Sequence, residues 1–265
     1  MAIIVLAQAR SSGATTAAMA LARSWPRPVV LVEGDPAGGD LAARYGTATS
    51  PGLVDLAATP GSRPVDWRAV TQSLGGVDVI AAPVAPDVTR AALDALGPAT
   101  AWLQAVGEGT DVLVDCGRLP VPPAPVPPLV EEATVAVFLC RPTAASVVSL
   151  RQRLGSLPEP IRQRSVVVVV GERPYPAGEV AATLGLPLAG VMADDPVAAA
   201  ALGSAEPVRM GRSALLRSAT VVAEALVRRS ARATDGGLVG AEIRLVGLAA
   251  VVPRVRLSLS QNGRR

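Results

Sequence analysis

Residues 11–16 combine a glycine with hydroxyl side chains directly after an apolar stretch, a composition typical of a loop that binds phosphate. The segment consists of Ser11, Ser12, Gly13, Ala14, Thr15 and Thr16. Glycine lets a backbone approach a phosphate closely, and the N–H groups that begin a helix bind anions without a charged side chain. We therefore predict that 11–16 form a phosphate-binding loop and the start of a helix. The alternative is an ordinary helix start, since hydroxyl residues are also good N-caps.

The loop lacks the lysine that usually completes such a site. All 25 basic residues of the chain are arginine, and Ala14 stands where a phosphate-binding loop carries the lysine that reaches the β- and γ-phosphates. The backbone cradle and the hydroxyls remain, while the charge is gone. Three alternatives follow: a working nucleotide switch, a slow one, or one that has lost its activity.

Short β-branched runs alternate with Ala- and Leu-rich stretches along most of the chain. The runs predict strands at 3–7, 29–33, 77–81, 111–115, 135–140, 166–170 and 188–191, and the stretches predict helices at 15–24, 88–108, 144–154, 177–184, 196–202 and 213–229. Strands that are apolar throughout are buried on both faces. We therefore predict an α/β fold with a doubly wound, mostly parallel sheet and helices on both faces. The proline-rich residues 119–128 predict an extended loop.

Composition excludes several classes of site. The chain has no histidine, and its two cysteines, Cys116 and Cys140, have neither CxxC spacing nor a histidine nearby, so structural zinc and His-based acid–base catalysis are excluded. The net charge of +3 is spread thinly, which does not favour a dedicated nucleic-acid surface. No apolar run approaches the roughly 20 residues of a membrane span. We expect a cytoplasmic protein.

The pattern changes near residue 231, which predicts two regions: one α/β domain at 1–230 and a basic extension at 231–265. Residues 241–265 hold five arginines and one glutamate, a net charge of +4. Val255, Leu257 and Leu259 alternate with polar residues, as in a strand. The extension is either partly ordered or an added edge strand, or it binds a partner or a membrane surface.

Three segments resemble, in order and spacing, the deviant Walker A, switch I and Walker B motifs of the MinD/ParA family of P-loop ATPases, which includes the CpaE/TadZ pilus-positioning proteins. They are residues 11–16, 29–41 and 111–117; segments 141–147 and 184–197 are similar to two later stretches of the family. The likeness spans about residues 1–230 and implies a P-loop NTPase fold. In lacking the lysine, the loop is similar to those of a lysine-less subgroup of actinobacterial MinD-like proteins.

This resemblance implies ATP and Mg²⁺ as cofactors and assigns roles to individual residues. The backbone of 11–16 would hold the phosphates, and Thr15 would bind Mg²⁺. Asp115 would hold Mg²⁺ through a water molecule, and Asp35, a further residue of the metal site, would position the attacking water. Glu33 stands at the first acidic position of switch I. The alternative is that Asp35 and Asp115 are ordinary turn formers after strands.

The chain departs from the family at several functional positions. Ala14 replaces the P-loop lysine, and Ala9 replaces the signature lysine that reaches the nucleotide of a dimer partner. Arg10, next to Ala9, either substitutes as a catalytic cation or is a solvated loop residue. A comparable arginine contributes a factor of about 10³ to 10⁵ in rate, so we expect hydrolysis to be slow or absent. Residues 171–173 stand where family members commonly carry an adenine-contacting asparagine.

The resemblance implies three functions of different classes. The first is a homodimeric, Mg-ATP-dependent switch with weak or absent hydrolysis that positions a pilus-assembly, septum or chromosome-partitioning machine, peripheral to the membrane or free of it. The second is a pseudo-ATPase scaffold that binds protein partners without nucleotide turnover. The third is a partition-type protein that binds DNA through its arginines, for which the charge pattern before the tail gives little support.

Overall fold

The computed structural model describes residues 1–59, 66–97, 102–103, 106, 109–120, 126–204 and 213–234. Within these residues eight strands form one sheet: β1 (Ile3–Gln8), β2 (Val29–Glu33), β3 (Gln72–Leu74), β4 (Val77–Ile80), β5 (Asp111–Arg118), β6 (Val135–Cys140), β7 (Ser165–Val170) and β8 (Leu188–Met192). Their order in space is β3-β4-β2-β5-β1-β6-β7-β8. All neighbouring strands are parallel except β3 and β4.

Helices cover both faces of the sheet. The described helices are α1 (Ala14–Arg23), α2 (Leu41–Arg44), α3 (Leu53–Ala57), α4 (Pro86–Ala95), α5 (Pro128–Glu131), α6 (Ala144–Leu154), α7 (Glu159–Gln163), α8 (Ala177–Leu184), α9 (Pro196–Leu202) and α10 (Ala214–Thr234), with a 3₁₀ helix at Trp67–Val70. One hydrophobic core lies between the sheet and α1, α9 and α10. A second core lies between the sheet and α3, α4, α6 and α8. The predicted doubly wound fold is confirmed.

The two cores explain why the central strands are mostly apolar. In β1, Ile3 and Val5 belong to one core, whereas Ile4 and Leu6 belong to the other. Successive side chains of a strand point to opposite faces, so a polar residue in a strand covered on both sides, such as Asp111 or Asp115 in β5, is buried.

Some predicted boundaries were wrong. The single helix expected at 88–108 begins instead at Pro86 and ends at Ala95. Gly97 follows at φ 61°, a left-handed conformation that commonly ends a helix. The short antiparallel strand β3 was missed, and Pro128 begins α5 rather than ending a loop. The extension predicted at 231–265 lies outside the described residues from 235 onward, as do 121–125 of the proline-rich segment.

Asp111 is a buried charge at the amino-terminal edge of the sheet, opposite the predicted site. One carboxylate oxygen accepts the N–H of Ala2 at 2.9 Å. The other accepts the indole N–H of Trp25 and the Nε–H of Arg27, both at 2.8 Å. This carboxylate therefore joins the start of β1 and the turn after α1 to β5.

We predict that Asp111→Ala lowers the free energy of unfolding by about 3 kcal/mol or more, because it leaves buried donors without an acceptor. Urea unfolding of the purified protein measures the change. The matched control is Asp78→Ala on the exposed side of β4, with an expected change below about 0.5 kcal/mol. Equal effects of the two substitutions would contradict a structural role for Asp111.

Candidate phosphate-binding site

The candidate site lies where the carboxyl ends of β1, β2 and β5 meet. β1 sits between β5 and β6, so the chain leaves β1 toward β2 on one side of it and later returns to β6 on the other. Such a reversal of strand order opens a crevice at the carboxyl ends of the strands, where α/β sheets bind ligands. Asp115 is paired with Leu6 on β1 and with Glu33 on β2, which places its carboxyl group between the two strand ends.

The loop predicted to bind phosphate connects β1 to α1 at this edge. Gly13 caps α1 at φ 84°, and no atom lies within 4 Å of the place where its Cβ would be. The N–H of Ser12 donates to Oε1 of Gln8 at 2.5 Å, which folds the loop back onto β1. The N–H groups of 14–16 lie in the first helical turn, where the helix supplies no acceptor. This geometry suits an anion at the helix start.

The two alanines in place of lysines are core residues. Ala9 packs in the core on one face of the sheet, and Ala14 packs in the core on the other. Arg10 is exposed, and no hydrogen bond or ion pair joins its side chain to another described residue. The loop itself therefore presents backbone N–H groups and hydroxyls, with Arg10 as its one charge.

Asp115 is fully buried behind the loop. Its carboxyl accepts a hydrogen bond from the N–H of Gly117 at 2.9 Å, and the hydroxyl of Thr15 is close enough to lower its pKa. Burial nevertheless raises the pKa of Asp115 to about 6, because desolvation outweighs these two contacts and because Asp35 and Asp40 add negative charge nearby. The structure thus brings together Thr15 and Asp115, two of the three predicted metal ligands.

Asp35 lies beside them in the loop after β2. Its side chain packs on Gly117, where a Cβ would come within 1.6 Å of Oδ2, so residue 117 has to be glycine while Asp35 keeps this position. The N–H of Ala37 donates to Oδ1 at 2.8 Å. Burial raises the pKa of Asp35, whereas this N–H and the nearby Arg118 lower it. The three predicted acidic and hydroxyl residues are therefore neighbours.

Glu33, at the first acidic position of the switch I resemblance, binds backbone N–H groups. Its carboxylate accepts the N–H groups of Asp40 and Ala82 at 2.9 Å and of Leu41 at 3.1 Å. Burial raises the pKa of this carboxyl despite these hydrogen bonds. Glu33 therefore connects the start of α2 and the residue Ala82 after β4 to the end of β2.

Arg118, which no sequence motif indicated, lies beside the loop at 11–16. β5 continues three residues past Asp115, and Arg118 is paired with Gln8 at the end of β1. Its guanidinium donates to the hydroxyl of Ser11 at 3.0 Å. The pairing of β5 with β1 explains why β5 continues to Arg118. The direction of the Arg118 side chain depends on the turn at Gly117.

Three cavities border the site. A cleft of about 380 Å³ is lined by 171–173 and by the ion pair between Arg141 and Asp194, whose closest N–O distance is 2.7 Å. A smaller cavity of about 90 Å³ continues from this pair to Gly13 and Thr16. A mainly apolar cavity of about 420 Å³ is lined in part by Asp35 and Arg118.

The described residues contain no group of three or more acidic, cysteine or histidine side chains that could hold a metal ion. Thr15 and Asp115 fit Mg²⁺ only together with phosphate oxygens, the arrangement that Mg²⁺ prefers at nucleotide sites. Cys116 and Cys140 are buried, free thiols with raised pKa values. Across the described chain, no helix combines the length and the apolar character needed to cross a membrane.

No protein-family model and no curated protein matches this chain. Solved structures do. A ParA family ATPase from Chlorobium tepidum TLS has a TM-score of 0.63 at 17% identity, over 85% of this chain and 97% of that one. The MinD cell division protein of Aquifex aeolicus has a TM-score of 0.67 at 14% identity, over 86% and 98%. The septum site-determining protein MinD of Pyrococcus horikoshii OT3, complexed with Mg-ADP, has a TM-score of 0.57 at 17% identity, over 85% and 95%.

The chain therefore has the α/β fold of the MinD/ParA P-loop NTPases, as its sequence predicted. Identities this low establish the fold, and the activity has to be argued from the site. In this fold the loop at 11–16 lies between the first strand and the first helix of the sheet, at the edge where Asp35 and Asp115 also lie.

We predict that Asp115→Asn stabilises the protein at neutral pH. Because the folded-state pKa of Asp115 is raised from 3.8 to about 6, the folded state binds its proton more tightly than the unfolded state. The stability due to the neutral carboxyl is present below the lower value and is lost as the pH rises through the upper one. The variant should gain on the order of 2 to 3 kcal/mol at about pH 7.5 and under about 1 kcal/mol at about pH 4.

Urea unfolding of both proteins across this pH range measures the difference. Asp78→Asn on the exposed side of β4 is the control and should change stability by less than about 0.5 kcal/mol at either pH. A gain that does not depend on pH would contradict the buried charge as its cause.

Proposed function

We propose that the chain is a MinD/ParA-like nucleotide-binding switch with a degenerate Walker A loop. It binds ATP with Mg²⁺ in the crevice at the carboxyl ends of β1, β2 and β5, and it hydrolyses ATP slowly or not at all. The observation that carries this proposal is the buried carboxyl of Asp115 next to Thr15, at a helix start with free N–H groups. A carboxyl group whose burial raises its pKa, and so costs free energy when it is charged, is typical of a binding site.

The local geometry supports nucleotide in three ways. The N–H groups of 14–16 provide an anion site, as at other helix starts. Thr15 and Asp115 provide oxygen ligands for Mg²⁺ beside the phosphates. The cleft next to Gly13 has room for further parts of a nucleotide. A MinD of the same fold was solved with Mg-ADP.

Weak hydrolysis follows from the charges. Ala9 and Ala14 remove both cations that the family places on the phosphates, and arginines of comparable position contribute a factor of about 10³ to 10⁵ in rate. Asp35 remains near enough to orient a water molecule. The protein would then keep the nucleotide for long periods and report its presence through conformation rather than through turnover.

The second candidate is a pseudo-ATPase scaffold without nucleotide. It is favoured by Ala9 and Ala14, which have become core residues on the two faces of the sheet. The scaffold has no use for a buried, raised-pKa carboxyl next to Thr15, which is why we prefer the switch.

In the cell, we infer a cytoplasmic homodimer that positions a larger machine. Similar structures carry the descriptions "ParA family ATPase" and "septum site-determining protein". A pilus-assembly, septum or partition system is therefore the proposed partner. The basic tail at 241–265 would add a contact to DNA or to a membrane surface.

We predict that the purified protein binds Mg-ATP saturably and that Thr15→Ala weakens this binding at least about tenfold, because the variant loses the Mg²⁺ ligand. Calorimetric titration measures both affinities, and a thermal shift on adding nucleotide provides a second readout. In EDTA the two proteins should differ by less than about threefold, since no metal then needs the hydroxyl.

Thr183→Ala on the exposed side of α8 is the matched control and should bind as the parent protein does. Neither heat nor thermal shift at millimolar Mg-ATP would reject the switch and leave the scaffold. Binding that Thr15→Ala does not weaken would place the nucleotide elsewhere.

A further inference from the structure

We propose that Arg118 supplies, from the end of β5 in the same chain, the positive charge on the terminal phosphate that the loop at 11–16 has lost. This inference rests on the proposed binding of a nucleoside triphosphate and assigns one residue of that site. The loop and Arg118 belong to neighbouring strands of the sheet, so no second chain is needed to bring them together.

The backbone fixes where Arg118 can reach. The N–H of Leu119 donates to the carbonyl of Gln8 at 2.8 Å, so the chain after β5 stays attached to the end of β1. One nitrogen of Arg153 on α6 donates to the carbonyls of Leu119 and Pro120 at 2.7 and 2.6 Å. These bonds hold the residues that follow Arg118 against the end of β1 and against α6.

The guanidinium lies between the loop and the switch aspartate. It donates to the hydroxyl of Ser11 at 3.0 Å, and it is close enough to Asp35 to lower the pKa of that carboxyl. In the proposed site Asp35 orients water at the terminal phosphate. A group that contacts both Ser11 and the surroundings of Asp35 is thus at the phosphate end of the site.

The charge of Arg118 is available for an anion. Its guanidinium forms no ion pair with a carboxylate of the described residues. Burial lowers the pKa of Arg153 and the nearby charge of Arg118 lowers it further, so a second positive charge lies close to Arg118. The bond to Ser11 uses one of five guanidinium donors, which leaves the fork that pairs well with phosphate oxygens.

Two other arginines border the loop and fit this role less well. Arg141 is paired with Asp194 on the opposite side, next to the cleft proposed for further parts of the nucleotide. Arg10 is exposed, and no described residue orients its side chain. Of these three arginines, only Arg118 combines an orienting contact to the loop with a guanidinium that has no carboxylate at ion-pair distance among the described residues.

The test is calorimetric titration of Mg-ATP and Mg-ADP into the parent protein and into Arg118→Ala, Arg118→Gln and Arg118→Lys. We expect Arg118→Ala and Arg118→Gln to lose about 10- to 100-fold in affinity for ATP and less than about threefold for ADP. The preference for ATP then disappears, and lysine restores part of it. Arg151→Ala on the exposed side of α6 is the matched control and should keep the preference.

Each outcome decides the inference. A parent protein that binds neither nucleotide rejects the proposed function and this inference with it. A parent that binds ATP, with Arg118 variants that keep the ATP preference, rejects Arg118 alone. Equal losses for ATP and ADP would make Arg118 a structural residue of the loop. Melting temperatures of the nucleotide-free variants, expected within about 4 °C of the parent, show that the exposed side chain is not needed for folding.

Discussion

The parallel pairing of β1 with β5 is the constraint on which the site depends. It places Leu6 beside Asp115 and Gln8 beside Arg118, so the loop after β1 and the acidic end of β5 share one edge of the sheet. β6 pairs with the other side of β1, so the loop leaves a strand that has a neighbour on both sides. Asp111 fastens the far ends of the same two strands through Ala2. A shift of one residue in this pairing would turn the side chain of Asp115 to the opposite face of the sheet, away from Thr15.

The pairing also creates the least favourable electrostatic feature of the protein. Asp115 is buried with Asp35 nearby, and no described cation lies against it, so burial raises its pKa. A fold under selection for stability alone would place an apolar side chain there, as it does at the neighbouring Val114. The cost is reasonable if a cation on the solvent side of Thr15 offsets the charge when ligand binds. The buried charge of Asp115 would then both destabilise the free protein and favour the binding of Mg²⁺ with phosphate.

The sequence predicted the sheet and the location of the site because both depend on patterns with little ambiguity. Apolar strands must be buried on both faces, and a Gly-Ala-Thr-Thr step after such a strand must begin a helix. It could not predict the end of α4, because Gly97 interrupts a stretch whose Ala and Leu spacing suits a longer helix. It could not assign a role to Glu33, because a carboxylate that binds three backbone N–H groups and one that faces a ligand look the same in sequence. Arg118 was missed because its direction follows from the turn at Gly117 and from the chain that Arg153 holds.

An arginine on β5 is not equivalent to a lysine on the loop, and the difference bears on how a switch would work. A P-loop lysine moves with its own loop and contacts phosphate whatever the rest of the sheet edge does. Arg118 ends β5 directly after Gly117, on which Asp35 packs, and its guanidinium contacts the hydroxyl of Ser11 in the loop. A phosphate that takes this guanidinium from Ser11 would change contacts on the β5 segment and on the loop after β2 together. The loss of the lysine would therefore weaken catalysis while it ties the phosphate more directly to the parts of the surface that a partner could sense.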